Sequence, residues 1–297
     1  MRVLAISLLL IVASCAKDRG EVIEDEQDTG VALSSSDTDK TLFVWDFSEP
    51  KSYIYTMQTE INTSVTMEEG SPMNDMDMEQ VMEATYRIRA KENGRADIYV
   101  QDFKVLQAPF PGMEDMIESQ LPQEPTIIIQ DMTAGGDYDT SDSFNLAGIE
   151  GMGAIAPLIL PTRDLSIGET DTISMNYAMD QDIMDFDFKQ SIYLTFAGYD
   201  EYEGKNCAVL VAEFSLDESN MAINDPEMGE GSLEMDVDLN SGSRYYWDPV
   251  GHYFVGAEVL MDGTTGLAGT GALADLPEGM NVDIDVVQRI KLEAIEE

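Results

Sequence analysis

Alternation is the feature that most restricts what this chain can fold into. In the run EATYRIRA, Ala84, Tyr86, Ile88 and Ala90 alternate with Thr85, Arg87 and Arg89. Successive side chains of an extended strand leave on opposite faces, so such a run buries one face and wets the other. A helix, whose faces repeat every 3.6 residues, could not sort the same residues. The same period recurs from Thr41 to the end of the chain, in LFVWDF, SYIYTMQTEINTSVTM, RADIYVQDFKVL, TIIIQDM, DTISMNYAM, QSIYLTFAGY, CAVLVAEFSL, GSLEMDVDL, SRYYWD, HYFVGAEVLM and VDIDVVQRIKLEAI. These runs are rich in aromatic and β-branched residues, which suit a half-buried pleated surface.

The connections between runs are too short for parallel crossovers. Glu92-Asn93-Gly94-Arg95, Tyr202-Glu203-Gly204-Lys205, Asn240-Ser241-Gly242 and Asp248-Pro249-Val250-Gly251 each place a glycine where a tight reversal takes a positive φ. The fold class is therefore mainly β: an antiparallel sheet, as a curved half-barrel or a sandwich, with one short central Gly-rich helix. That helix is expected in Ser143–Thr170, where Phe144, Gly148, Met152 and Ile155 form a helical stripe and Pro157 and Pro161 stop it. Gly148, Gly151 and Gly153 each weaken it by up to about 1 kcal/mol relative to alanine. Residues 41–297 form one antiparallel β-domain, and two related halves split near 107–170 are a further expectation. It rests on the hairpins Tyr86 to Val100 and Tyr193 to Val211, each an aromatic strand, a Gly-basic turn and an apolar strand.

Ahead of this domain the pattern changes. Arg2 precedes a ten-residue apolar stretch, Val3 to Val12, followed by the small residues Ala13 and Ser14, which is the layout of a secretory signal in residues 1–14. As a helix the stretch reaches only about 15 Å, half of a ~30 Å hydrocarbon core, so it is not a membrane span. Val12-Ala13-Ser14-Cys15 resembles the bacterial lipobox, which implies that Cys15 is diacylglycerol-modified and becomes the first mature residue. In the lipoprotein pattern, Ala16 rather than aspartate after the cysteine implies the outer membrane. Residues 15–40, with eight acids, three bases and the triplet Ser34 to Ser36, read as an acidic flexible tether. Its coil length of about 25–30 Å sets the distance from lipid to domain.

Composition bounds the partners. With 58 acidic and 16 basic residues and a net charge of −42, the chain repels nucleic acid and anionic headgroups. Apolar residues make up 43% of it, enough for a sizeable core. If Cys15 is acylated, Cys207 has no disulfide partner within the chain, and in NCAVLVAEF it reads as a buried, inert thiol. Over residues 41–297 the sequence resembles bacterial envelope lipoproteins, on the link LP..L.IGET (Leu160-Pro161 to Thr170) and the hairpin Y.GK.CAVL. The resemblance implies no activity. It does imply a curved half-barrel around an apolar cleft.

Motifs that could carry chemistry each have a plainer explanation. Asp28-Thr29-Gly30 and Asp139-Thr140-Ser141 echo the paired aspartates of aspartic proteases, but neither follows an apolar strand, as a shared-proton dyad requires. Asp180, Asp182, Asp185 and Asp187, and then Asp236, Asp238 and Asn240, offer the oxygen donors that calcium uses. The second run departs from an EF-hand at Ser241 and Trp247, and both runs suit the solvent faces of strands. Met73, Met76, Met78 and Met82, with Met113 and Met116, read as a packing loop before a copper(I) site. His252, the single histidine, lacks partners for zinc or a triad and flanks a turn. Trp45, Trp247, Tyr245, Tyr246 and Tyr253 are core aromatics first and cleft residues second. No catalytic, metal or cofactor site is assigned. The expectation is a non-enzymatic envelope lipoprotein, held to the membrane by Cys15, that binds an apolar ligand, a cation or an envelope protein. The alternatives are a calcium-stabilised surface module and a carboxylate-dependent hydrolase.

Overall fold

The computed structural model describes residues 40–66, 76–110, 112–113, 124–138, 160–181, 184–225, 229–271 and 280–297. The signal, the lipobox, almost all of the tether and the helical stripe Phe144 to Ile155 lie outside these residues. Ten strands are present: β1 (Ser52–Thr66), β2 (Met76–Ala90), β3 (Ala96–Gln107), β4 (Thr126–Met132), β5 (Thr170–Gln181), β6 (Met184–Tyr202), β7 (Lys205–Asp225), β8 (Gly229–Asp248), β9 (Tyr253–Gly271) and β10 (Met280–Glu296). They form one antiparallel sheet in the order β4-β3-β2-β1-β10-β9-β8-β7-β6-β5, so among the described residues the fold is all-β and there are not two stacked sheets.

Two meanders make this sheet. β1 to β4 step outward to one edge, β5 to β10 step inward from the other, and β1 pairs with β10 between Ser52↔Glu296 and Thr66↔Asn281. The chain between β4 and β5 therefore passes from one edge to the other. Laid flat, ten strands at about 4.8 Å spacing would separate those edges by about 43 Å. They are much closer. Thr41 exchanges both backbone hydrogen bonds with Leu165, just before β5, at 2.9 and 3.2 Å, and the Trp45 amide donates to the Ala134 carbonyl, just after β4, at 2.8 Å. Four extended residues span only about 13 Å. The sheet is thus curled into a trough, and residues 41–47 form a strap across its open side at one end.

The strap is anchored by its own alternation: Thr41, Phe43, Trp45 and Phe47 are buried, while Leu42 is half exposed. Its aromatic side chains fill that end of the trough. Phe43 meets Phe196 edge-on at 5.5 Å, and Trp45 meets Tyr53, Trp247 and Phe254 at 5.4 to 5.6 Å. A bulge makes this possible. Tyr246 pairs with Gly256 but Trp247 with Phe254, so Val255 is an extra residue in β9. The inward set of β9 switches there from Ala257 and Val259 to Phe254, which lands 5.0 Å from Trp247.

On the outer face the chemistry reverses. Along β10, Val282, Ile284, Val286 and Ile290 are buried, while Asp283, Asp285, Arg289 and Lys291 are exposed. Ion pairs lie on the exposed face, among them Arg87 with Glu296 at 3.1 Å and Lys291 with Glu203 at 3.4 Å. A barrel spanning a lipid bilayer needs an apolar outer band, whereas these strands present charge outward. No helix among the described residues is long and apolar enough to cross a membrane.

Three local expectations are corrected. Asn240-Ser241-Gly242 is not a turn, because β8 runs unbroken through it, pairing Asn240 with Asp262 and Gly242 with Leu260. The methionine segment is not a loop from Met76 onward: Met78 and Met82 sit on β2, buried opposite Thr63 and Thr59. In the Asp248 turn it is His252, not Gly251, that takes the left-handed conformation, at φ 56°. Gly251 is required for space, since a Cβ there would lie 2.2 Å from the Tyr253 ring. The turn at Glu203-Gly204 does have positive φ at both residues, 51° and 74°, as a two-residue hairpin of the primed type demands.

Gly256 gives the first prediction. A Cβ at this position would sit 2.6 Å from the Ile290 carbonyl oxygen and 2.7 Å from the ring of Tyr202, which stacks on Tyr246 at 4.0 Å. Backbone oxygen cannot yield as a flexible side chain can. Gly256→Ala is expected to cost about 1–3 kcal/mol by overpacking, read as a lower melting temperature. Gly242→Ala, with nothing within 4 Å, should melt at or slightly above the parent.

Candidate functional site

The trough encloses one apolar cavity next to the strap. It is lined by Trp45 of the strap, Tyr55 and Met57 of β1, Tyr86 and Ile88 of β2, Ile98 of β3, Ile128 of β4, Phe254, Gly256 and Ala257 of β9 and Ile290 of β10. Six neighbouring strands contribute, which only a curled sheet allows. The enclosed part is about 30 Å³; counted out through its mouth, solvent included, the empty space is about 490 Å³. Small-molecule clefts are similarly apolar with few polar groups, and here the enclosed part is small, so a guest would lie mainly in the open mouth.

Polar atoms on the lining are few. The Tyr55 hydroxyl donates to the Phe254 carbonyl at 2.8 Å, while Trp45 Nε1 and the Tyr86 hydroxyl have no hydrogen-bond partner. Burial pushes the Tyr55 and Tyr86 hydroxyls well above the ordinary phenol range, so both stay neutral. No lining residue carries a charge.

The strap is held at the cavity by a polar staple. The Asp46 carboxylate accepts from the Lys51 ammonium and from the Ser48 amide at 3.1 Å and hydroxyl at 2.5 Å. Its own backbone is tied as well: the amide donates to the His252 carbonyl at 3.1 Å, and the carbonyl accepts from the Tyr53 hydroxyl at 3.0 Å. The Lys51 bond, then those from Ser48, lower the Asp46 carboxyl from 3.8 to about 2. A carboxyl lowered on folding contributes stability above its unfolded value, and that contribution disappears as pH falls through the folded value. Asp46→Asn is therefore expected to cost about 1 kcal/mol at pH 7, allowing for solvent screening of a side chain a third exposed. The gap between parent and variant should shrink between about pH 4 and pH 2, as urea unfolding at stepped pH would measure. On the β5 side the Ser166 amide and then Arg163 hold the Glu169 carboxyl down at about 2, shaping the link from Leu160 to Thr170.

Of the aromatic candidates from the sequence, Trp45 alone lines the cavity. Trp247 and Tyr245 are fully buried in the cluster beside it, Tyr246 pairs with Tyr202, and the Tyr253 ring and hydroxyl carry the Lys205 ammonium. Cys207 is buried, and burial pushes its thiol up to about 11, away from reactivity at neutral pH. Asp180, Asp185 and Asp187 lie on the β5–β6 hairpin, with Asp180 directly opposite Asp185, and Asp236, Asp238 and Asn240 take alternate positions of β8. Asp182, Asp28, Asp139, Met73, Met116 and Cys15 lie outside the described residues. Among the described residues no three His, Cys, Asp or Glu side chains gather as a metal would require.

No protein family matches the chain, and no curated protein matches it. Among solved structures it is similar to a lipovitellin studied for its lipid–protein interactions, with 14% identity and a TM-score of 0.43 over 84% of this chain. The chain spans 26% of that lipovitellin chain, about a quarter of its length. It is also similar to OccK9 (OpdG) of Pseudomonas aeruginosa, with 8% identity and a TM-score of 0.23 over 81% of this chain and 98% of that one. For OmpT of Vibrio cholerae, an outer membrane protein in a form lacking loop L8, the identity is 7% and the TM-score 0.15, over 80% and 99%.

Proposed function

We propose that this chain is a non-enzymatic lipoprotein of the cell envelope, held at the outer membrane through Cys15, whose curled sheet binds an apolar ligand. The observation that carries the ligand is the cavity. An uncharged, apolar lining within a sheet whose outer strand faces are charged and solvated favours a hydrophobic guest over an ion or a polar metabolite. The anchor rests on the lipobox resemblance and the apolar run before it.

The test is titration of the full chain with a neutral apolar fluorophore, N-phenyl-1-naphthylamine. Saturable binding at one site is expected, with affinity reduced at least tenfold in Ala257→Leu, which places three further carbons on a lining residue only 1% exposed. Glu258→Gln, next to it but exposed on the outer face, should bind as the parent does. Binding that never saturates, or that is equal in a folded Ala257→Leu variant, would refute the reading.

A further inference from the structure

The two edges of the sheet are not alike. At one edge β4 is seven residues long, pairs with β3 through two register shifts and leaves regular strand geometry at Asp131, at φ 56°. The Asp131 carbonyl accepts from Arg95 at 2.9 Å, and its carboxylate accepts from Lys91. A short strand, a local distortion and basic side chains are devices that keep an edge from recruiting another strand. β5, at the other edge, has none of them beyond its first two residues. It is twelve residues long, pairs with β6 from Thr170↔Thr195 to Gln181↔Met184 without a register shift, and contains no proline, glycine, lysine or arginine. The link before it covers only its start: Arg163 donates to the Thr170 carbonyl at 2.8 Å, and the Thr162 amide donates to the Asp171 carboxylate at 2.7 Å.

The ladder shows which backbone groups lie on the free side. The Phe196 amide donates to the Glu169 carbonyl at 3.1 Å, so Glu169 is a hydrogen-bonded position against β6, and along an antiparallel pair such positions alternate. Odd-numbered residues of β5 therefore bond β6. Thr172, Ser174, Asn176, Ala178 and Asp180 turn their amides and carbonyls the other way, as the Thr170 carbonyl does in meeting Arg163. Among the described residues no strand lies on that side.

We propose that this edge is a self-association surface, to which β5 of a second copy adds antiparallel about a two-fold axis at Asn176, joining two sheets into one. The strand is complementary to itself in that register. Met175 stands opposite Tyr177, Ile173 opposite Met179, Ser174 opposite Ala178 and Thr172 opposite Asp180. Free-side positions meet free-side positions, so each such pair exchanges two backbone hydrogen bonds. No two carboxylates face each other, which like-charge pairing would penalise. Two chains of net charge −42 repel, but residues 172–179 carry no charge at all, so this stretch is where a second copy meets least opposition. Salt, which screens the remaining charge, strengthens the pairing.

The test is sedimentation equilibrium of the full chain in a density-matched detergent. Reversible dimers are expected, half formed on the order of 10 µM, as suits a weak interface, with more dimer at high salt than at low. Ser174 is exposed and its amide faces the free side, where proline is tolerated on an edge strand. Ser174→Pro should keep the parent's melting temperature and weaken dimerisation at least tenfold. A second measurement reads the register through a short bis-maleimide. Asn176→Cys faces its own copy and should cross-link to a dimer, whereas Ser174→Cys, about 14 Å from its copy along the strands, should cross-link far less. A parent that stays monomeric, dimers unchanged in a folded Ser174→Pro variant, or equal cross-linking at the two positions overturns the inference. Should Ser174→Pro not fold, the two cysteine variants still decide.

Discussion

Replacing Trp45 with alanine is expected to lower the melting temperature by about 10 °C. The side chain is 2% exposed, stacks on Phe47 at 5.7 Å and meets Tyr53, Trp247 and Phe254 edge-on. Large-to-small changes of a buried tryptophan cost about 3–5 kcal/mol, and a domain of this size loses roughly 2–4 °C for each kcal/mol. The site magnifies the loss. Trp45 is the middle anchor of a strap otherwise held by Phe43 against Phe196, by the hydrogen bond between the Thr41 and Tyr199 hydroxyls, by backbone bonds of Thr41, Trp45 and Asp46, and by the ties of Asp46 to Lys51 and Tyr53. With the ring gone the strap loses its central contacts with Tyr53, Trp247 and Phe254 and is held only by the anchors on either side. Leu42→Ala, in the same strap but half exposed, should change stability by less than about 0.5 kcal/mol. Calorimetry on the two variants separates anchoring from a general sensitivity of the segment, and similar small shifts in both would show that the strap does not brace the trough.

Much of this architecture is legible because period two is a strong local signal. β1, β2, β3, β4, β5, β6, β7, β9 and β10 each contain one of the runs picked out by alternation, and the short Gly-containing turns at Gly94 and Gly204 give their antiparallel sense. The failures share a cause: propensity cannot tell an extended segment from a paired one. LFVWDF alternates like a strand and is buried like one, yet only Thr41 makes a bridge, and the segment works as a strap. Asn240-Ser241-Gly242 has the composition of a turn, but β9 pairs it residue by residue, from Asn240 with Asp262 to Gly242 with Leu260, and ladder pairing overrides local preference.

The cavity was legible in kind, since an apolar cleft is what the lipoprotein resemblance implies, but not in membership. Its lining comes from residues as distant as Trp45 and Ile290, brought together by curvature and by the Val255 bulge. A bulge adds one residue and flips every later side chain, so the inward position of Phe254 cannot be counted from Val259. Tyr86 was visible only as part of the buried face of EATYRIRA. Its place on the cavity lining depends on the curl of the sheet, which no local pattern shows.

The largest effect of all is expected from Cys15→Ser, which should move the protein from the membrane fraction to the soluble fraction almost completely. At about 0.8 kcal/mol per buried CH₂, one myristoyl chain gives only a reversible hold, whereas two or three acyl chains hold far more firmly. Among the described residues nothing would replace such a hold. The outer strand faces are charged, no described helix could span a bilayer, and a net charge of −42 is repelled by anionic headgroups. If Cys15 carries the proposed lipid, its loss should act as a switch between two compartments. The released variant should keep the parent's melting temperature and its affinity for the neutral fluorophore, because 25 residues separate Cys15 from the strap at Thr41. Fractionation in high salt, followed by intact-mass analysis of the membrane-bound parent, checks both halves. A Cys15→Ser protein that still sediments with membranes, or a parent whose mass shows an unmodified residue 15, would remove the anchor and leave the apolar cavity to be explained in some other compartment.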